Sequence, residues 1–134
     1  AGVRVTVVPG PSAVTAALAL SGYGADRFVF GGFLPSHGEA RRRALCELLA
    51  CPMTAVLYES PHRIGRLLDE LAELAAERRI CICREMTKLF EETAEGPAAE
   101  VRDQLRSRRP RGEFTIVIAP LPRHAAARPA SAPA

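Results

Sequence analysis

A short apolar run, a polar turn and a helical repeat follow one another over residues 53–76, and this succession constrains the fold more than any other stretch. Residues 53–57 (Met-Thr-Ala-Val-Leu) contain neither Gly nor Pro, which is typical of a strand buried on both faces. Ser60 and Pro61 have the residue types of a helix N-cap and a first helical position, and apolar residues then recur at helical spacing. Strand-to-helix turns bind ligands in open α/β sheets, so residues 58–63 (Tyr-Glu-Ser-Pro-His-Arg) are the first candidate site.

Seven further segments extend this pattern along the chain as alternating strands and helices. Strands are predicted at residues 3–8, 27–34, 79–84 and 114–119, and helices at residues 13–20, 39–50 and 97–107. The order β-α-β-α-β-α-β-α-β predicts a three-layer α/β domain over residues 1–119, with a five-stranded, mainly parallel sheet. The acidic residues 90–96 are predicted as a connection, and the Pro/Ala-rich residues 120–134 as a disordered tail.

Glycines mark two special backbone positions. Gly31 and Gly32 fall inside a predicted strand, which indicates a bulge or a close approach by another backbone. Gly22 follows the first predicted helix, where a glycine commonly ends a helix in the left-handed conformation.

Composition narrows the class of protein. The 134 residues suffice for one domain with a real core, and an apolar content of 48% with 25% charged residues is ordinary for a globular protein. No apolar run approaches the roughly 20 residues of a membrane span, and no signal peptide is recognisable. The spacing of Cys46, Cys51, Cys81 and Cys83 matches no common zinc motif, so no metal site is predicted. These cysteines are interpreted as free thiols, so a reducing, cytoplasmic setting is expected. Because the chain begins at Ala1 and enters a predicted strand almost at once, we expect a piece of a longer protein.

Three consecutive arginines, Arg41, Arg42 and Arg43, lie in the first turn of a predicted helix. Positive charge at a helix N-terminus opposes the helix dipole and costs some stability. Two interpretations stay open, a solvated face or a patch that contacts RNA phosphates. Lys88 is the only lysine among the 18 basic residues, and it is retained as a candidate site residue.

Four motifs in register give the sequence a specific resemblance. They are residues 9–13 (Pro-Gly-Pro-Ser-Ala), 31–35 (Gly-Gly-Phe-Leu-Pro), 58–63 (Tyr-Glu-Ser-Pro-His-Arg) and 84–88 (Arg-Glu-Met-Thr-Lys). In this order and spacing the chain resembles the C-terminal half of the ribosomal RNA small subunit methyltransferase I family, within the tetrapyrrole-methylase superfamily. The resemblance covers residues 3–119.

The resemblance implies a fold and an activity. The family has two α/β domains with S-adenosylmethionine bound between them, usually dimerises, and methylates the ribose 2′-hydroxyl of a cytidine in small-subunit ribosomal RNA. Its second domain has a mixed sheet, so the resemblance implies a mixed sheet here in place of the mainly parallel sheet predicted from the element order. The Gly-Thr-Pro and Asp-Pro-Gly motifs of its N-terminal domain do not occur here. We therefore expect this chain to be inactive without a missing N-terminal domain.

The resemblance also implies site residues. The cofactor contacts fall, by position, on Ser12, Ala13, Glu59, Met86, Thr87 and Gly112, largely through the backbone. A weak hydroxyl nucleophile calls for a base or for a cation that stabilises the alkoxide. Glu85 is the first candidate for the base, with Lys88 or Arg84 as the cation; Glu59 and His62 are alternatives.

Other interpretations stay open at this point. His62 has a simpler role as an exposed residue, Arg63 as a structural ion pair with Glu59, and Ser60 as a helix cap rather than a nucleophile. At the level of function, the alternatives are a tetrapyrrole (porphyrinoid) methylase domain and a non-catalytic domain that docks to RNA or dimerises.

Overall fold

A five-stranded sheet and four helices form the described part of the chain, residues 2–84, 91–108 and 111–122, in a computed structural model. The helices are α1 (Ala13–Ser21), α2 (Gly38–Ala50), α3 (Ile64–Ala75) and α4 (Ala98–Arg106); the strands are β1 (Phe28–Phe33), β2 (Thr54–Glu59), β3 (Arg79–Arg84), β4 (Glu92–Pro97) and β5 (Phe114–Ile118). Within these residues no helix has the length and apolar character needed to cross a membrane.

The sheet is mixed, with the strand order β1-β2-β5-β3-β4. Strand β1 runs parallel to β2, whereas β5 runs antiparallel to both β2 and β3, and β4 runs antiparallel to β3. The connection between β3 and β4 spans only residues 85–91, and a parallel crossover needs a dozen residues or more. The mainly parallel sheet predicted from periodicity is therefore wrong, and the mixed sheet implied by the resemblance is confirmed.

Helices cover both faces of the sheet, which makes three layers. Successive side chains of a strand point to opposite faces. On one face the apolar sides of α2, α3 and α4 pack on residues such as Leu57, Ile82 and Ile116. On the other face α1 is the one helix of the described residues that packs, with Ala17 and Leu18 against alternate residues of β2, β3 and β5. The buried thiols of Cys81 and Cys83 belong to this second layer, as expected of small apolar side chains.

Two predictions about strands are wrong, the strand at residues 3–8 and the irregular connection at residues 90–96. Residues 2–12 carry no regular secondary structure, and the side chains of Val3, Val5, Val7 and Val8 are 82–89% exposed. Conversely, part of the predicted acidic connection forms β4, which pairs with β3 along its whole length. An edge strand needs one partner and little apolar content, so its sequence carries a weak signal.

The two predicted glycine features are confirmed. The pairing of β1 with β2 shifts register between Phe30 and Gly32, which is a bulge at Gly31. A Cβ on Gly31 would lie 2.8 Å from Cδ2 of Leu57 and 2.9 Å from Cδ1 of Leu48, so side chains, rather than another backbone, approach this glycine closely. Gly22 caps α1 with a φ of 69°.

A polar cluster ties the end of α1 to the outer strands. The Tyr23 hydroxyl donates to Oε1 of Glu95 at 2.8 Å, and Arg79 donates to both carboxylate oxygens of Glu95 at 2.9 and 2.7 Å. The bonds from Arg79, and then that from Tyr23, hold the pKa of the Glu95 carboxyl below its usual range. Burial, and then the bond to Glu95, raises the pKa of the Tyr23 hydroxyl.

We expect Glu95→Gln to lower the melting temperature near pH 7 but not in acid. A carboxyl whose pKa is lowered on folding stabilises the native state above its unfolded pKa of about 4.3, and this stabilisation is lost as pH falls through the lowered pKa. Melting curves of both proteins between pH 7 and acid should therefore converge below about pH 4. Glu47→Gln, at an exposed position on α2, controls for the loss of charge alone. A gap that persists in acid would contradict the prediction.

Candidate functional site

The ends of three strands meet at one edge of the sheet. The last residue of β2, Glu59, pairs with the first residue of β5, Phe114, and Phe114 pairs in turn with Arg84 at the end of β3. Gly112, with a φ of 73°, lies two residues before Phe114. Sequence positions far apart, namely residues 59, 84 and 112, are therefore brought to the same edge.

Helix α1 directs its N-terminus to this edge as well. Its C-terminal end is followed by Tyr23, which contacts the carboxylate of Glu95 beside Arg79, the first residue of β3. Because α1 packs along β3 and β5, its opposite end lies toward the ends of β2 and β3. Ser12 and Ala13 stand there, both exposed, and Ser12 makes no side-chain capping bond within the described residues.

A second motif borders the same edge through aromatic contacts. Phe33, the last residue of β1, pairs with Tyr58 of β2, and the centroids of their rings are 5.6 Å apart. The ring of Phe30 contacts Tyr58 edge-on at 5.0 Å. The bulge at Gly31 permits this, since it places Phe30 and Phe33 on the same side of Tyr58.

The carboxylate of Glu59 is buried and fully engaged. Its side chain is 2% exposed, its Oε1 accepts a bond from the Ser60 N–H at 2.9 Å, and the same oxygen lies 3.3 Å from Nε of Arg63. Oε2 lies 3.4 Å from a terminal nitrogen of Arg41. The predicted Glu59–Arg63 ion pair is confirmed. The backbone of Glu59, rather than its side chain, is the part that a cofactor can contact without breaking this network.

Arg41 holds the turn to two helices. Its guanidinium, 1% exposed, donates from Nε to Glu70 at 2.9 and 3.2 Å and from a terminal nitrogen to the carbonyl of Pro35 at 3.2 Å. With its contact to Glu59, Arg41 links α2, α3 and the end of β2. Charge removed from water requires such pairing, because an isolated buried ion is costly.

The three arginines predicted to contact RNA therefore separate into two kinds. Arg41 faces the interior and offers no surface to a phosphate, so for Arg41 the interpretation as an exposed contact is wrong. Arg42 and Arg43 are exposed, and within the described part of the chain Arg42 approaches only Glu73, at 3.9 Å. The predicted patch is thereby reduced to Arg42 and Arg43.

The turn after β2 differs in detail from the predicted helix start. Helix α3 begins at Ile64, and the N–H groups of Arg63 and Ile64 donate to the Ser60 carbonyl at 3.1 and 3.0 Å. Ser60 thus supplies its backbone oxygen, and no side-chain cap bond opens α3 within the described residues. His62 is exposed, in keeping with its simpler interpretation.

Of the remaining predicted residues, Arg84 lies in the described part of the chain and the other four do not. Arg84 is half-buried, and its guanidinium lies 3.3 Å from Glu92, its cross-strand partner on β4. The proposed base Glu85, the cofactor contacts Met86 and Thr87, and Lys88 lie outside the described residues.

Sequence reasoning missed the Arg41–Glu59–Glu70 network, although a signal for it was present. Arg41 stands four and eight residues before Leu45 and Leu49, and all three are buried on the inner face of α2. A charge on an apolar helical stripe needs a buried partner. No cluster of three or more metal-ligating side chains occurs among the described residues.

The sequence matches a family model and curated relatives. Residues 1–102 match the model of the tetrapyrrole (corrin/porphyrin) methylases. Proteins named ribosomal RNA small subunit methyltransferase I are 44% identical over 88% of the chain in Xylella fastidiosa, 41% over 87% in Thermotoga maritima and 44% over 93% in Mycobacterium tuberculosis. The chain spans about half the length of these relatives, namely 44%, 52% and 44% of each. The resemblance stated from the four motifs is confirmed.

Solved structures share the fold at lower sequence identity. A cobalt precorrin-4 methyltransferase superposes with a TM-score of 0.63 at 17% identity, covering 88% of this chain and 53% of that one. A diphthine synthase gives 0.65 at 15% identity, covering 88% and 49%. Uroporphyrin-III C-methyltransferase from Thermus thermophilus, complexed with S-adenosylhomocysteine, gives 0.55 at 20%, covering 87% and 53%. These likenesses support the mixed-sheet α/β fold.

Proposed function

Because the chain belongs to the tetrapyrrole (corrin/porphyrin) methylase family, we propose that it is the C-terminal half of an S-adenosylmethionine-dependent methyltransferase acting on small-subunit ribosomal RNA. The acceptor is the ribose 2′-hydroxyl of a cytidine. The observation that carries the proposal is the 41–44% identity to three relatives with the same name over 87–93% of the chain. The porphyrinoid methylases among the structural neighbours share only 17–20% identity, which favours RNA over a tetrapyrrole acceptor.

The geometry of the sheet edge fits a cofactor that is held mainly by the backbone. Ser12, Ala13, Glu59 and Gly112 converge there, and the half-buried Gly112 adopts a left-handed conformation that brings bare backbone to the edge. We assign the cofactor contacts to these residues together with Met86 and Thr87. When bound, S-adenosylmethionine supplies an electrophilic methyl group.

The chain's own side chains then have two tasks at this edge. One is to align the ribose hydroxyl, since alignment alone can lower a barrier by roughly 7–11 kcal/mol. The other is to take its proton and to stabilise the negative oxygen, for which Glu85 is the proposed base and Arg84 and Lys88 are the proposed cations. Arg42 and Arg43 are the proposed contacts to RNA phosphates on α2.

An upstream domain completes the site in this proposal. Val3, Val5 and Val7 are exposed and alternate as in a strand, yet no neighbouring strand pairs with them within the described residues. About 25 cal/mol per Å² of apolar surface would be gained by covering them. A domain preceding this one, as the length of the relatives implies, is the proposed partner, and a homodimer of the longer chain is proposed as the active form.

Titration with S-adenosylhomocysteine tests the proposal. We expect weak or no heat of binding to this chain alone, and tight binding when it is extended by the upstream half, because half of the binding cleft is supplied by each part. The extended chain should also transfer a labelled methyl group to small-subunit RNA. Absence of binding in both forms, or methylation of a porphyrinoid in place of RNA, would overturn the proposal.

A further inference from the structure

A cavity of about 200 Å³ opens between the start of α3, the end of α4 and the ends of β3, β4 and β5. Its apolar wall is made by Ile64, Leu68, Leu105 and Phe114. Three of these side chains belong to the packed core, so the wall is rigid. The cavity is smaller than the roughly 300–1,000 Å³ of pockets that enclose whole drug-sized ligands, and therefore suits one group of a larger ligand.

Arginines dominate the polar lining of this cavity. Four of them, Arg84, Arg102, Arg106 and Arg108, face two carboxylates, Asp69 and Glu92, among the described lining residues. Glu92 is shared by Arg84 and Arg108, at 3.3 and 3.5 Å, and Arg106 lies 3.7 Å from Asp69. These long, partly exposed ion pairs are individually weak, and each guanidinium has five N–H donors. The lining thus keeps a surplus of positive charge and of donors.

One donor at this cavity is unused. Nε of Arg84 is buried and has no hydrogen-bond partner among the described residues, although Arg84 as a whole is 17% exposed. A buried donor without a partner costs free energy, roughly 1–3 kcal/mol. An oxyanion in the cavity would relieve this cost by drawing the guanidinium of Arg84 toward it.

We propose that this cavity binds one phosphate of the RNA substrate, with the adjoining nucleoside against its apolar wall. The inference rests on the proposed function, because RNA is taken as the substrate class. S-adenosylmethionine carries a sulfonium and a net positive charge, so an arginine-lined cavity disfavours it. The cavity adjoins the edge where Glu59, Phe114 and Arg84 meet, so a bound phosphate would position the acceptor strand beside the cofactor site.

The salt dependence of RNA binding tests the cavity. Anisotropy of a labelled single-stranded oligoribonucleotide would be followed over a salt series for the full 134-residue chain and for Arg106→Gln/Arg108→Gln. Each phosphate contact on a single strand contributes about 0.7 to the slope of log K against log salt. We expect the slope to fall by about 0.7 in the variant. The control is Arg27→Gln/Arg79→Gln, which removes two exposed charges at the opposite end of the sheet and should keep the wild-type slope.

A second measurement identifies the bound group. The ¹⁵N-labelled Nε–H signal of Arg84, assigned by its loss in Arg84→Lys, should shift on addition of the oligoribonucleotide. Inorganic phosphate and cytidine monophosphate should shift the same signal only at a much higher concentration than the oligoribonucleotide. Two results would overturn the inference. One is a shift as strong with inorganic phosphate alone as with the oligoribonucleotide, and the other is an unchanged salt slope in Arg106→Gln/Arg108→Gln. Retained RNA binding with an unchanged slope would refute the cavity alone, whereas failure of methyl transfer to ribosomal RNA would refute the proposed function.

Discussion

Arg41→Met should lower the free energy of unfolding by about 3–5 kcal/mol, the usual cost of breaking a buried ion pair from one side. Methionine fills a similar apolar volume, so little of the loss comes from packing. The loss comes from Glu59, which is 2% exposed and would keep only Arg63 and the Ser60 N–H as partners. Glu70 would also lose its bond to Nε, although it keeps Arg66 at 3.2 Å.

The next residue of the helix supplies the control for this prediction. Arg42→Met makes the same change at a side chain that is 55% exposed and 3.9 Å from Glu73, so we expect a cost within about 1 kcal/mol. Urea unfolding of both variants measures the difference. Adding Glu59→Gln to Arg41→Met should recover part of the loss, because the unpaired charge is then removed. Equal costs for the two arginine variants would show that the network does not hold the turn.

This network explains why the turn after β2 is a suitable place for a site. Glu59 is fixed from α2 by Arg41 and from its own turn by Arg63, and Glu70 anchors the same arginine from α3. The backbone at the end of β2 is therefore held in one position before any ligand arrives. Preorganised groups of this kind lose little entropy on binding.

Local pattern was sufficient for the inner elements of the fold. The apolar periodicity of α3 and the apolar runs of β2 and β5 carry enough burial to define them alone. The local pattern was insufficient where pairing between strands decides whether a segment becomes a strand. Residues 3–8 alternate like a strand but find no partner within the described chain, and Glu92–Pro97 lacks strand composition yet pairs with β3. Strand formation depends on neighbours that sequence periodicity does not reveal.

In the candidate site, too, sequence motifs predicted local features, whereas contacts between residues far apart in the sequence were not predicted. The motif at residues 58–63 was placed correctly at a strand end, and Gly112, which the resemblance implied, lies two residues before Phe114, the partner of Glu59. The ion pairs behind the turn join residues 18 and 29 positions apart, and the cavity joins five separate elements. Such contacts arise only once the sheet order β1-β2-β5-β3-β4 is known.

Gly31→Val should destabilise the protein by about 1–3 kcal/mol, the usual cost of adding bulk to a packed core. Valine suits a strand, and the backbone at Gly31 does not require glycine, so the cost comes from packing alone. The added Cβ would overlap Leu57, which is fully buried, and Leu48, which is less confined. Displacing the first of these disturbs the core between β2 and α2, next to the bulge that sets Phe30 on Tyr58.

A glycine-to-valine substitution at a position with free space around it isolates the packing cost. Gly24→Val adds a Cβ that meets no atom within 4 Å, and a surface change of this kind usually alters stability by less than about 0.5 kcal/mol. Urea unfolding would give both values, and near-ultraviolet circular dichroism would report the environment of Tyr58. We expect the spectrum to change in Gly31→Val only. A cost for Gly31→Val no larger than that of Gly24→Val would mean that Leu48 and Leu57 move aside freely, and that the packing of β1 on α2 does not require glycine at this position.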